Sequence, residues 1–228
     1  MLRKLFANSV ATLNKDIDMK SITDIISPSS QRSLIICDVD EVVLEFLTPF
    51  QSFLLAQDKE LRANSFALHG NIFDLNTNSA VENEKVSRLI DDFFADQLNW
   101  QMLLPDVEQA LKELSKDIDI LFLTAMPPKY FSTRKALLEG FDLNFPLIAT
   151  EDAKGPFLKE ANTHIDDKVF FIDDMIYNHH SVAEHAPDTH HISIMANQEF
   201  KAIAPQLDDY IYDADNWIDV KSHIQSKF

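Results

Sequence analysis

The run Ser33-Leu34-Ile35-Ile36-Cys37-Asp38-Val39-Asp40-Glu41-Val42-Val43 carries an unbroken apolar segment straight into two acids one residue apart. A continuous Leu-Ile-Ile-Cys segment reads as a strand buried on both faces, the kind found in parallel sheets. Open parallel α/β sheets place their chemistry in the crevice outside the carboxyl ends of the strands. Asp38 and Asp40 are therefore expected at the mouth of the sheet, not in its core. Two carboxylates held that close repel one another, which raises the proton affinity of one of them unless a cation intervenes. Such a pair serves to hold a metal or to divide nucleophile and acid–base roles. The plain alternative is a polar strand end that caps the next turn.

Working outward, 228 residues suffice for one good core and a small second unit. A hydrophobic content of 46% fits a globular chain and excludes a mostly disordered one. Lys and Arg total 20 against 37 Asp and Glu, a net charge of −17. That balance argues against binding a nucleic-acid backbone, which needs cationic side chains to neutralise phosphates. It also requires a local cation if a phosphorylated molecule is to approach. A single Cys allows no internal disulfide and fits a reducing, cytoplasmic setting. With only Gly70, Gly140 and Gly155, neither a GxGxxG turn nor a Walker loop can be built, so dinucleotide and P-loop chemistry are set aside. No apolar run is long enough for a membrane span.

Residues 1–30 read as a helical lead-in, with Leu2, Leu5, Phe6, Val10 and Leu13 at helical spacing and a composition that a transit peptide can share. After Val43 the pattern changes. Helical periodicity is expected over 47–62 (Leu47, Phe50, Phe53, Leu54, Leu61) and 81–100 (Val86, Leu89, Ile90, Phe93, Phe94, Leu98), with an Asn-rich stretch of no clear period between them. Residues 45–100 thus read as a small helical insertion that starts just after the acids, a lid or extra packing. Residues 31–44 and 101–228 read as the α/β core around it. Within that core, Pro105-Asp106 opens a helix. Strands are expected at 118–124, 146–150, 168–172 and 191–195, separated by helices, with Glu151 to Pro156 as a turn. Alternating strands and helices imply βαβ units and a parallel sheet. Asp38, Asp40, Thr124, Lys154, Asp173 and Asp174 all fall at or just beyond strand ends.

In that order, these segments resemble the haloacid dehalogenase superfamily of phosphatases and phosphotransferases. Leu34-Ile35-Ile36-Cys37-Asp38-Val39-Asp40 is similar to its first motif, and Leu121-Phe122-Leu123-Thr124 to its second. Lys154 followed by Gly155 is similar to the third, and Phe170-Phe171-Ile172-Asp173-Asp174 to the fourth in its Asp-Asp form. The likeness spans about residues 33–220 and departs at Glu41, where the family often has Gly, adding negative charge near the site. It implies a Rossmann-like parallel sheet flanked by helices, with the insertion in the place of the family's first type of cap. About thirty residues between Thr124 and Lys154 leave no room for the other type.

The resemblance further implies a phosphatase, not a dehalogenase, because Asp40 supplies the acid–base group that phosphoryl transfer needs. Asp38 would be the nucleophile that carries an aspartyl-phosphate. Asp40 would act as acid and base. Thr124 would hydrogen-bond a phosphoryl oxygen and Lys154 would neutralise charge. Mg²⁺ would be held by Asp38, the Asp40 backbone carbonyl and Asp174, with Asp173 reached through water. Asn178 would steady Asp174 or Lys154. The implied substrate is a small phosphorylated metabolite whose identity is not readable, and the sequence carries no signal of oligomeric state. The alternative from another class is a non-catalytic relative that binds a phosphorylated ligand or a protein partner. His179, His180, His185, His190 and His191 invite a zinc reading, but without nearby Cys a packed or solvated cluster is expected. Cys37 is expected as a core residue.

Overall fold

The computed structural model describes residues 32–165 and 167–228. The lead-in helix and transit-peptide readings for residues 1–30 lie outside the described residues.

Strand β1 (Leu34–Cys37) is buried along its whole length, as its apolar run requires, and occupies a central position in the sheet. On one side it pairs in parallel with β5 (Asp119–Thr124), which pairs with β6 (Leu147–Ala149). On the other it pairs with β7 (Val169–Asp173), followed by β8 (His190–Ser193) and β9 (Ile211–Asp213). The order β6-β5-β1-β7-β8-β9 is parallel throughout. The chain leaves β1 toward β5 and later returns to its other flank through β7, so the crevice of the topological switch point opens beyond the end of β1.

Alternation along the strands divides the core in two. Ile35, Cys37, Phe122, Phe170 and Ile172 face the helices α4 (Val107–Leu114), α5 (Phe131–Gly140) and α9 (Trp217–Gln225), where Val107, Leu111, Leu137, Trp217 and Ile224 are buried. Leu34, Ile36, Leu121, Leu123 and Phe171 face α6 (Lys154–Asn162) and α7 (Ile176–His185), against Leu158, Ala161 and Val182. Trp217 ties the last helix to the chain just after β1 by donating from Nε1 to the Val42 carbonyl at 2.7 Å. The expected strands sit within a residue or two of their places. The strand β9 and helix α9 were not anticipated: Ile211-Tyr212-Asp213 is too short to declare a period.

The insertion departs from expectation. It contains α1 (Leu47–Leu55), α2 (Asn83–Ala95) and the short α3 (Gln97–Trp100), but it is not helical throughout. Between α1 and α2 lies an antiparallel sheet of β2 (Lys59–Leu61), β3 (Ile72–Asp74) and β4 (Ser79–Ala80). These strands are two or three residues long and mostly polar or exposed, so they leave neither alternation nor an apolar run to read. The insertion builds its own core from Phe46, Phe50, Phe53, Ile72, Val86 and Phe93, and Met126, Met195 and Phe200, the last in the short helix α8 (Gln198–Lys201), join it from beyond the sheet. That shared packing seats it over the strand ends. Among the described residues no helix is long and apolar enough to cross a membrane.

Candidate active site

Strand register brings the acids together. Cys37 is level with Ile172 of β7 and Phe122 of β5, so Asp38 emerges beside Asp173, and Thr124 lies two residues beyond the Cys37 partner. Carboxylate oxygens of Asp38, Asp173 and Asp174 all lie within 4.8 Å of one another. A cation already stands between two of them: Lys154 Nζ is 2.8 Å from Asp38 Oδ1 and 2.6 Å from Asp173 Oδ2, with all three side chains buried.

Lys154 reaches this position as the first residue of α6, not from a free turn as expected. Gly155 makes it possible. A Cβ there would run into the carbonyl and hydroxyl of Ser181 and the ring of His185, so only glycine lets the start of α6 press against α7. Burial works against the lysine's charge, yet Asp173 and Asp38 hold its pKa well above the ordinary value. Asp38 moves the other way. Burial pushes its carboxyl up from 3.8 to about 7, Lys154 opposes this, and Asp173 and Asp40 add to it.

The two acids that follow β7 have different surroundings. Asp173 accepts from Lys154, from Asn178 Nδ2 at 2.9 and 3.1 Å, and from the Met175 amide at 2.8 Å. Its oxygens are occupied by the protein, and Asn178 steadies Asp173 instead of Asp174 or Lys154. Asp174 is half-buried and makes no hydrogen bond among the described residues. Its carboxyl is raised well above the ordinary range, by burial first and then by Asp173, Asp38 and Glu41. Thr124 ends β5 fully buried, with a hydroxyl that has no hydrogen-bond partner.

Asp40 is held by groups the sequence reading missed. Arg134 of α5 is fully buried and its Nη2 donates to both Asp40 oxygens, at 3.0 and 3.2 Å. Gln101 Nε2 donates to Asp40 at 2.7 Å and its carbonyl accepts from Arg134, while Gln97 accepts from Arg134 Nε. A signal was present: Arg134 sits three and four residues before Leu137 and Leu138, a charge on the apolar stripe of its helix.

Glu41 also has a specific place. Its backbone is left-handed, φ +62°, which explains why glycine suits this position in the motif it resembles. Its buried carboxylate accepts from the amides of Phe46 at 2.9 Å, Leu47 at 2.6 Å and Asn197 at 2.8 Å. The added charge thus clamps the entry of the insertion to the loop after β8, and burial raises its pKa.

Among the described residues, the three aspartates form the only group of three or more candidate ligands close enough to share an ion, and the histidines form none. His179 and His191 are buried with their Nδ1 atoms 3.0 Å apart, and His179 Nε2 is 3.1 Å from the Asp173 carbonyl. Burial lowers both, His191 to about 4, so the pair is a neutral packed contact. Cys37 is buried in the core, and burial followed by Asp38 raises its thiol well above the ordinary value.

Above the acids lies a cavity of about 310 Å³, floored by Asp38, Asp40, Glu41 and Asp174 and walled by residues of both the insertion and the core. A parallel sheet with paired acids at its carboxyl edge, a bridging lysine and an insertion after the first strand defines the haloacid dehalogenase-like class of fold. Solved structures agree. A haloacid dehalogenase-like hydrolase from Streptococcus pneumoniae is similar at a TM-score of 0.55 and 14% identity, over 86% of this chain and 100% of its own. A predicted phosphatase from Clostridium acetobutylicum is similar at 0.54 and 16%, over 86% and 100%. A subfamily IA hydrolase of the same superfamily from Geobacter sulfurreducens is similar at 0.54 and 15%, over 88% and 100%. No family model and no curated protein sequence matches the chain.

Proposed function

We propose that the chain is a Mg²⁺-dependent phosphomonoester hydrolase that works through an aspartyl-phosphate on Asp38. One observation carries the reading. Asp38, Asp173 and Asp174 converge within 4.8 Å beside the buried Lys154, at the open edge of the sheet. A carboxylate raised by burial beside a specific charge partner, at the floor of a cavity, is a candidate functional group.

Hard carboxylate oxygens with an unpartnered Asp174 fit a small divalent cation. Asp38 and Asp174 would hold it, while Asp173, saturated by protein donors, positions Lys154. Mg²⁺ bound there supplies charge neutralisation between the carboxylates and an incoming phosphoryl group.

The residues divide the chemistry as follows. A carboxylate oxygen of Asp38 attacks phosphorus, the bond from phosphorus to the ester oxygen breaks, and Asp40, as general acid, passes a proton to the departing alcohol. Asp40, now a base, takes a proton from water, whose oxygen attacks the same phosphorus and frees Asp38 and inorganic phosphate. Thr124 donates its orphaned hydroxyl to a phosphoryl oxygen, and Lys154 stabilises the negative charge shared by Asp38 and the phosphoryl group. Arg134 keeps Asp40 turned toward the site. Residues 45–100 act as the cap, which excludes water and shapes the substrate pocket.

Phosphate release from a generic aryl phosphate, with Mg²⁺ and then with excess chelator, tests the proposal. Release that chelation abolishes is expected. Tight binding of phosphorylated compounds with no release from any of them would instead favour a binding protein.

A further inference from the structure

The cavity's lining is more selective than its chemistry requires. Its walls are Phe46, Leu47, Phe66, Leu68, Ile90 and Phe94, and its floor is four carboxylates. Among the described residues no Lys, Arg or His lines it. Among the described residues, two buried cations beside it are committed elsewhere: Lys154 to Asp38 and Asp173, and Arg134 to Asp40. Lys201, in the adjoining cavity, pairs with Asp213 at 2.7 Å. Of the neutral polar groups, Asn178 is spent on Asp173, and Tyr177 stands exposed at the rim.

From this we infer that the substrate, under the hydrolase reading above, is a phosphomonoester whose alcohol is uncharged and apolar: an aryl or short branched-alkyl group. The cation site, Lys154 and Arg134 fall short of neutralising the floor acids together with one phosphoryl group, and among the described residues nothing remains for a second anion. A carboxylate or second phosphate would be pressed against Glu41 and Asp174, or desolvated among aromatic rings without a partner, and both are costly. At about 310 Å³ the cavity is at the small end of ligand pockets, with room for a phosphoryl group and one ring or short chain.

The test compares two esters of like shape, isoamyl phosphate and 3-phosphooxypropanoate, whose ends are an isopropyl group and a carboxylate. With Mg²⁺, kcat/KM should favour isoamyl phosphate by at least ~10-fold, the scale on which apolar pockets discriminate. Leu68→Lys should shrink or invert that ratio by giving the carboxylate a partner on the wall. Equal rates, or preference for the carboxylated ester by the wild-type protein, would overturn the inference and leave the hydrolase reading standing. If neither ester turns over, calorimetry with isoamylphosphonate and 2-carboxyethylphosphonate in Mg²⁺ decides separately. Tighter binding of the alkyl compound upholds the apolar pocket, and the aryl phosphate assay then decides the hydrolase reading on its own. Tighter binding of the carboxylated compound, or binding of neither, overturns the pocket assignment.

Discussion

Replacing Asp38 by Asn in metal-free protein should stabilise the fold at neutral pH and do much less in mild acid. The Asp38 carboxyl ionises near 3.8 in an open chain and at about 7 in the fold, because it is buried and faces Asp173 and Asp40 with only Lys154 opposing. Between those values the fold keeps a proton that the unfolded chain has lost, so stability falls as pH rises through that window and stays low above it. At ~1.4 kcal/mol per pH unit, the full cost reaches about 4 kcal/mol. Between about pH 5 and about pH 7.5 it grows by roughly 2–3 kcal/mol. Asn keeps the shape without the charge. His191, which titrates near 4, is common to both proteins and cancels in the difference. Urea unfolding with chelator present should therefore show the Asn variant gaining on wild type by roughly 2–3 kcal/mol across that interval. Mg²⁺ at neutral pH should then restore wild type more than the variant, by mass action on the native state. A gap that stays flat with pH, or widens toward acid, would refute the electrostatic account of Asp38.

Lys154→Met leaves Asp38 and Asp173 buried without their counter-ion and should cost about 3–5 kcal/mol in urea unfolding at neutral pH, part of it recovered in acid. Arg134→Met frees Asp40 and strands acceptors on Gln97 and Gln101. It should lower kcat by up to ~10²-fold, while ligand binding read by calorimetry changes little. Glu41→Ala loses three accepted amide bonds and keeps the left-handed backbone, so it should be less stable than Glu41→Gly by about 1 kcal/mol in the same unfolding assay.

The central strands were legible because burial on both faces writes them as continuous apolar runs: Leu34 to Cys37, Ile120 to Leu123 and Val169 to Ile172 have no polar interruption. Chain order and the acids at their ends followed from the same runs. The insertion's sheet was not legible, because Lys59-Glu60-Leu61 and Ser79-Ala80 owe their strand form to pairing with β3 and not to their own pattern. The setting of Asp40 was hidden for a different reason. Arg134 is 94 positions away and meets Asp40 only when α5 packs beside the end of β1. The Lys154 bridge depends on the close approach of α6 and α7 that Gly155 permits, a contact that spacing alone does not reveal.

The central claim, that Asp38 becomes phosphorylated during turnover, is tested most directly by acid-quenching the enzyme in mid-turnover with Mg²⁺ and an aryl phosphate, followed by mass analysis of its peptides. The account predicts one added phosphoryl group on the peptide containing Asp38, labile to base, and absent from Asp38→Asn and from chelator-treated wild type. Steady phosphate release with no such adduct, or with undiminished release by Asp38→Asn, would contradict it.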